Sequence, residues 1–208
     1  MNFDDYISKL LVELKNTLPG FESQKLMVPK SRVPKGMTFE KDSIKKSGVL
    51  ILLHPDKDDI YVSFIKRVTD GSKHSGQIAF PGGKAEEGDK NITETAVREA
   101  EEEIGVKSKD IKILGSLTPL FIPVSNYDVQ PVVGSIHYKP EFIKSPDEVD
   151  EIHSVSIKEL KEAYTICKTF EVRNETITAP FYMMNSIEIW GATAMMLSEF
   201  IELIKRLE

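Results

Sequence analysis

The chain has a single cysteine, Cys167, among its 208 residues. That rules out an internal disulfide framework and makes a reducing cytoplasm the expected compartment. It has no signal-like N-terminus and no apolar run of membrane-spanning length, so no membrane partner is expected. It has no internal repeat and no low-complexity tract. It also lacks net positive charge: 27 Lys and Arg stand against 33 Asp and Glu, for −6 at pH 7, and the isoelectric point is near 5.4. General nucleic-acid binding is disfavoured by that balance, though a local basic pocket is compatible with it. What is present is 40% hydrophobic residues, enough for the core of one domain. The expectation is a single domain over residues 1–208, with an N-terminal helix and loop extension over about 1–46.

The informative stretch runs from Gly76 to Val106. Asn91 and Glu94 have the N-cap and N3 spacing of a capping box, and Gly105 supplies a C-terminal stop, so a helix is predicted between Asn91 and Gly105. At about 100° per residue, Glu99, Glu102 and Glu103 fall within an arc of roughly 100°, with Glu101 on nearly the opposite side. Ala96, Val97, Ala100 and Ile104 form an apolar stripe beside that arc, which would hold the acids against a core. Like charges at these spacings repel, so clustering them there invites a cation, and hard oxygen ligands suggest Mg²⁺ or Mn²⁺. A bare run of three glutamates is ordinarily a solvated face. Here it follows a short apolar strand-like run, Gln77 to Phe80, and the loop Phe80-Pro81-Gly82-Gly83, whose glycines permit close backbone approach to a ligand. Such a strand, loop and helix unit can bring backbone groups to a metal-bound phosphate.

The pattern Gly83, Asp89 and Arg98-Glu99-Ala100-Glu101-Glu102-Glu103-Ile104-Gly105-Val106 resembles the Nudix box. Its usual form is a glycine, five residues, a glutamate, seven residues, then arginine-glutamate, an aliphatic or small residue, any residue, two glutamates, any residue, glycine and an aliphatic. Asp89 stands where the first glutamate is expected, and eight residues rather than seven precede Arg98. Both departures resemble the coenzyme A pyrophosphatase branch, as does the upstream segment Lys73-His74-Ser75-Gly76-Gln77-Ile78-Ala79-Phe80-Pro81-Gly82-Gly83. The resemblance implies an α/β (α+β) fold, the Nudix-type α/β/α sandwich with a mixed β-sheet between helices. It also implies metal-dependent cleavage of the diphosphate of coenzyme A or its derivatives, to 3′,5′-ADP and 4′-phosphopantetheine or acyl-phosphopantetheine.

In this reading Glu99 and Glu103 are metal ligands and Glu102 is a further ligand or the base that deprotonates water, while a backbone oxygen near Gly83 completes the sphere. Arg98 contacts phosphate or orients Glu102 or Asp89, and the resemblance favours the second role. His74 and Gln77 belong to the segment that marks the branch and would shape the substrate site. Arg67 is either a surface charge or a group at the site's mouth. Glu148 and Glu151 are alternatives to Glu102 as base. Homodimers are frequent in this fold, and the sequence leaves oligomeric state open.

Elsewhere, Phe3 to Leu18 shows helical spacing of Phe3, Tyr6, Ile7, Leu10, Leu11 and Leu14. Phe21 to Lys46 reads as an extended loop, a solvated connection whose Lys30, Arg32 or Lys35 could instead meet an anionic substrate tail. Gly48 to His54 and Ile60 to Val68 predict a hairpin, and Ile111 to Leu120, Val129 to Tyr138 and Glu148 to Ile157 predict further strands. A short helix over Lys158 to Ala163 precedes a hairpin of Thr169 to Arg173 with Thr176 to Tyr182. Trp190-Gly191 then leads into a final amphipathic helix, whose Met and aromatic residues read as core. Two alternatives remain: cleavage of ADP-ribose, dinucleotides or nucleotide sugars, and a Nudix-like module that binds a nucleotide without cleaving it. The intact Glu99, Glu102 and Glu103 argue against the second.

Overall fold

A computed structural model of the chain describes residues 1–30, 44–69, 75–172, 175–184 and 187–207. Its centre is strand β1 (Lys45–Asp56), where Leu50, Ile51, Leu52 and Leu53 are all fully buried. A continuous apolar run of this kind belongs to a strand covered on both faces. Successive side chains alternate between those faces. Leu50 and Leu52 join the cluster formed with Ala96, Ala100 and Ile104 of helix α3 (Ile92–Ile104). Ile51 and Leu53 join the opposite cluster, which includes Tyr6, Ile7 and Leu10 of α1 (Phe3–Glu13) and Leu197, Phe200 and Ile201 of α5 (Gly191–Lys205). The result is the expected α/β/α sandwich.

The sheet is mixed. Strand β1 pairs antiparallel with β2 (Asp59–Arg67), Leu53 opposite Val62, around a turn in which Lys57 has φ 52. It also pairs antiparallel with β4 (Gly82–Lys84) and parallel with β7 (Tyr127–Ser135). The short β3 (Ile78–Ala79) and β8 (Val149–Ser156) pair with β2. Strands β5 (Lys112–Ser116) and β6 (Leu120–Ile122) pair with β7. The predicted hairpin and acidic helix are thus present, as are the later strands, except that the single strand predicted over Ile111 to Leu120 is broken into β5 and β6.

Several boundaries and elements differ from expectation. Helix α1 ends at Glu13, five residues before the predicted Leu18, although Leu18 still packs against the core from the irregular segment that follows. Residues read as a loop after Gly20 instead form α2 (Phe21–Gln24) and a 3₁₀ turn over Lys25–Met27. Arg32 and Lys35 lie outside the described residues. Lys30 is exposed, and its backbone N–H donates to the Thr178 carbonyl at 2.9 Å. Gly82–Lys84, read as loop, is a strand. After α4 (Ile157–Glu162), the predicted hairpin runs longer as β9 (Tyr164–Val172) and β10 (Glu175–Met183). It gains an unforeseen third strand, β11 (Glu188–Trp190), to make a separate three-stranded sheet.

One buried charge ties the N-terminal segment to the rest. Glu199 on α5 is fully buried and accepts hydrogen bonds from Gly20 N–H (3.1 Å), Gln24 Nε2 (2.8 Å), Thr118 N–H (3.2 Å) and Thr118 Oγ1 (2.7 Å). Four donors on two oxygens meet the requirement that a buried carboxylate be fully hydrogen-bonded.

Candidate active site

Helix α3 is held at both ends by the residues that predicted it. The Asn91 side chain accepts from Glu94 N–H at 3.0 Å, and Gly105 closes the helix with φ 73. The reciprocal Glu94 bond reaches Lys90 N–H rather than Asn91 N–H. Packing of Ala96, Ala100 and Ile104 under β1 sets the rotation of the helix, and with it the fate of each glutamate. Glu103 turns inward and is 1% exposed, whereas the Glu102 side chain is 55% exposed.

Glu99 and Glu103 converge, and Glu148, the residue before β8, joins them. One carboxylate oxygen from each lies within 4.8 Å of the others. Glu102 does not join them. It pairs with Arg98 Nη1 at 2.9 Å. Glu151 is also elsewhere, paired with Lys66 at 2.5 Å.

The loop before α3 forms the other side of the site. Stacking of Phe80 on Phe64 (4.8 Å between centroids, 26° between planes) anchors it, and Leu50 N–H donates to Pro81 O at 2.7 Å. Gly82 N–H then donates to Glu103 Oε2 at 2.7 Å. A Cβ on Gly83 would sit 2.4 Å from the Glu99 carboxylate, so only glycine lets that carboxylate rest against the backbone. Ser47, which the sequence reading had not singled out, donates its hydroxyl to Gly83 O at 2.6 Å and fixes the turn.

Two arginines divide the work. Arg98 donates through Nε and Nη2 to Asp89 (3.0 and 3.2 Å), and pairs with Glu99 at 2.9 Å as well as with Glu102. Asp89 also accepts from Thr95 Oγ1 and Glu86 N–H. The Arg98 guanidinium holds the Asp89 carboxyl well below the usual carboxylate range, with the Glu86 N–H assisting. Arg98 is therefore an internal clamp from the loop to the helix. Arg67 is different. A register shift between Lys66 and Arg67, where β2 meets β8, precedes its side chain, and bulges re-aim side chains in this way. Arg67 Nη1 lies 3.3 Å from Glu103 Oε1.

These groups open on a cavity of about 530 Å³ lined by Arg67, Gln77, Gly83, Glu99, Glu103 and Glu148, with Trp190 and the first turn of α5 on another wall. Gln77 is one of these lining residues. His74 lies outside the described residues. The wall from Trp190 to Met196 was read as core, and no local pattern in the sequence announces that its residues return to this cavity.

Burial pushes the Glu103 carboxyl up to about 7, against the opposing pull of Gly82 N–H and Arg67. Burial also raises Glu99. Two adjacent carboxylates made costly to ionise, backed by a glycine cradle, fit a divalent cation with hard oxygen preference. A raised folded-state value means that Glu103 favours the fold below about 4.5 and loses that contribution as pH rises through about 7. Cation binding needs the ionised form, so affinity should rise with pH and level off above about 7. Calorimetric titration with Mn²⁺ is expected to give about tenfold or tighter binding at pH 8 than at pH 5.5. Equal affinity at the two pH values would remove Glu103 from the ligand set.

Comparison with known proteins agrees with this geometry. The NUDIX domain family model matches residues 44–172. A protein of Pectobacterium atrosepticum described as an uncharacterized Nudix hydrolase, NudL, is 35% identical over 149 residues, 70% of this chain and 74% of that protein. A NudL of Yersinia pestis is 36% identical over 126 residues, 59% of this chain and 61% of its own length. The crystal structure of a Nudix hydrolase from M. smegmatis, RenU, superposes with a TM-score of 0.51 at 14% identity, over 78% of this chain and 87% of that one. The last likeness shows the fold alone. No helix among the described residues is long and apolar enough to cross a membrane. With the family model covering more than half of the chain, and the box residues Gly83, Glu99 and Glu103 lining one cavity while Arg98 ties Glu99 to Asp89, the chain belongs to the Nudix hydrolase family.

Proposed function

We propose that this Nudix hydrolase cleaves the diphosphate of coenzyme A or an acyl derivative, giving 3′,5′-ADP and 4′-phosphopantetheine or its acyl form. The observation that carries the reaction type is the convergence of Glu99, Glu103 and Glu148 oxygens within 4.8 Å, on a cavity that Arg67 also lines. The substrate rests on the segment from Lys73 to Gly83 and on the longer spacing from Asp89 to Arg98, both of which resemble the coenzyme A branch.

Glu99 and Glu103 would hold Mg²⁺ or Mn²⁺, with Glu148 as third ligand or as the base that takes a proton from water. The cation, when bound, neutralises diphosphate oxygens and acidifies water. Arg67 releases Glu103 to meet a phosphate oxygen, and Gln77 and His74 shape the substrate side. Arg98 acts as a positioning group through Asp89, Glu99 and Glu102, so Glu102 contributes through Arg98. Residues 1–208 work as one domain, to which the Glu199 hydrogen bonds join the N-terminal extension. The free, exposed Cys167 suits a reducing cytoplasm.

The test is incubation of the purified protein with coenzyme A, ADP-ribose, NADH and a nucleotide sugar, with Mg²⁺ or Mn²⁺ and with chelator. Products are identified by mass. Chelator-sensitive release of 3′,5′-ADP and phosphopantetheine, faster than cleavage of the others, is expected. Faster cleavage of another diphosphate would overturn the substrate, and cleavage of none would favour a binding module.

A further inference from the structure

We propose that the first turn of α5, Gly191 to Thr193, is a second anion subsite in the cavity, one that takes a phosphomonoester carried on the nucleoside half of the substrate. The identity of that substrate rests on the coenzyme A reading above.

The first N–H groups of a helix have no intrahelical partner and need a cap or a ligand. Helix α5 is 15 residues long, yet Trp190 at its N-cap position provides no side-chain hydrogen bond and no acidic residue sits in its first turn. Helices α1 and α3 are closed by Asn2 and Asn91 instead. At α5 the open end lines the same cavity as Glu99 and Glu103. The independent observation is Thr193. Its side chain lines the cavity at 8% exposure, and its hydroxyl has no hydrogen-bond partner among the described residues. The hydrogen-bonding capacity of that hydroxyl is open to a ligand oxygen.

The chemistry of the end selects the ligand. N–H groups without a side-chain cap, a hydroxyl donor and the positive end of the helix dipole suit a tetrahedral oxyanion. The diphosphate is already claimed by the carboxylate-bound cation and Arg67, on elements from the middle of the chain. An anion at α5 is therefore a second one, joined to the diphosphate by the ribose. Trp190 is held rigidly beside it, stacked on Phe181 (5.7 Å, 23°) and edge-on to Phe170 (4.8 Å, 80°). As the only tryptophan of the chain, it reports on this wall.

The experiment compares coenzyme A with 3′-dephospho-coenzyme A in the wild type, Thr193→Val and Thr193→Ser, alongside tryptophan-fluorescence titrations with 3′,5′-ADP and 5′-AMP. The wild type should favour coenzyme A in kcat/KM, and 3′,5′-ADP in binding, by about tenfold or more, the scale of a hydrogen bond to a charged group. Thr193→Val should erase most of both preferences and Thr193→Ser should keep them. Cleavage of both substrates with an unchanged preference in Thr193→Val would overturn the subsite and leave the proposed function standing. Equal losses on both substrates would place the diphosphate itself at α5 and also overturn it. Cleavage of neither would overturn the coenzyme A reading and the subsite with it.

Discussion

Glu103→Gln is expected to lower hydrolysis by about 10³-fold or more, the scale of losing one preorganised charge at a reacting centre. The metal-free variant should nevertheless fold at least as well as the wild type. Glutamine is isosteric with glutamate, and its Oε1 can still accept from Gly82 N–H. What disappears is a carboxylate whose burial raises it to about 7. That ionised group costs the fold most above pH 7, and the cost vanishes as pH falls toward about 4.5. The variant should therefore gain about 1–3 kcal/mol at pH 8 and nothing near pH 4.5. Added Mn²⁺ should raise the melting temperature of the wild type and not that of the variant. Full metal-dependent activity in Glu103→Gln would sink the proposed ligand set.

Gly82→Ala is expected to have the largest effect on the fold. Gly82 has φ 151, which side chains other than glycine rarely adopt, and a Cβ there would lie 2.4 Å from Gly48 O and 2.5 Å from Val49 Cα. Both obstacles are backbone atoms of the central strand, so no side-chain rotation relieves them. The expected loss is about 4 kcal/mol or more, from backbone strain and overpacking together. Because Gly82 N–H also orients Glu103, any protein that does fold should bind Mn²⁺ poorly. Urea denaturation of Gly82→Ala against Gly88→Ala provides the comparison, since a Cβ on Gly88 meets nothing within 4 Å. Similar midpoints for the two would show that the Gly82 backbone relaxes freely.

Local patterns made the acidic helix legible. Asn91, Glu94 and Gly105 act on residues within four positions of themselves, and the stripe of Ala96, Ala100 and Ile104 records which face is buried. Helical spacing alone placed Glu99, Glu102 and Glu103 on one arc. It could not say where the arc crosses from core to solvent. The structure puts that crossing between Glu103 and Glu102, through contacts of α3 with β1 and β4 that are distant in sequence. Glu148 could be named only beside Glu151 as an alternative base, because its approach to Glu99 and Glu103 depends on the pairing of β8 with β2. The same reason hid β11 and the α5 wall. Their place is set by pairing Phe181 with Trp190, and a three-residue strand has too few positions to display a period. The Gly48 to His54 run showed its burial in composition, but the parallel partner β7 of its strand lies some 80 residues later (Lys45 opposite Tyr127), where periodicity is silent.

The most direct test of the central claim is an anomalous difference map from crystals grown with Mn²⁺. A peak is expected between Glu99 and Glu103, about 2.0–2.4 Å from an oxygen of each, with Glu148 facing it and the Arg67 guanidinium withdrawn from Glu103. A map with no manganese there, and with Arg67 still on Glu103, would contradict the assignment of these carboxylates as the metal centre.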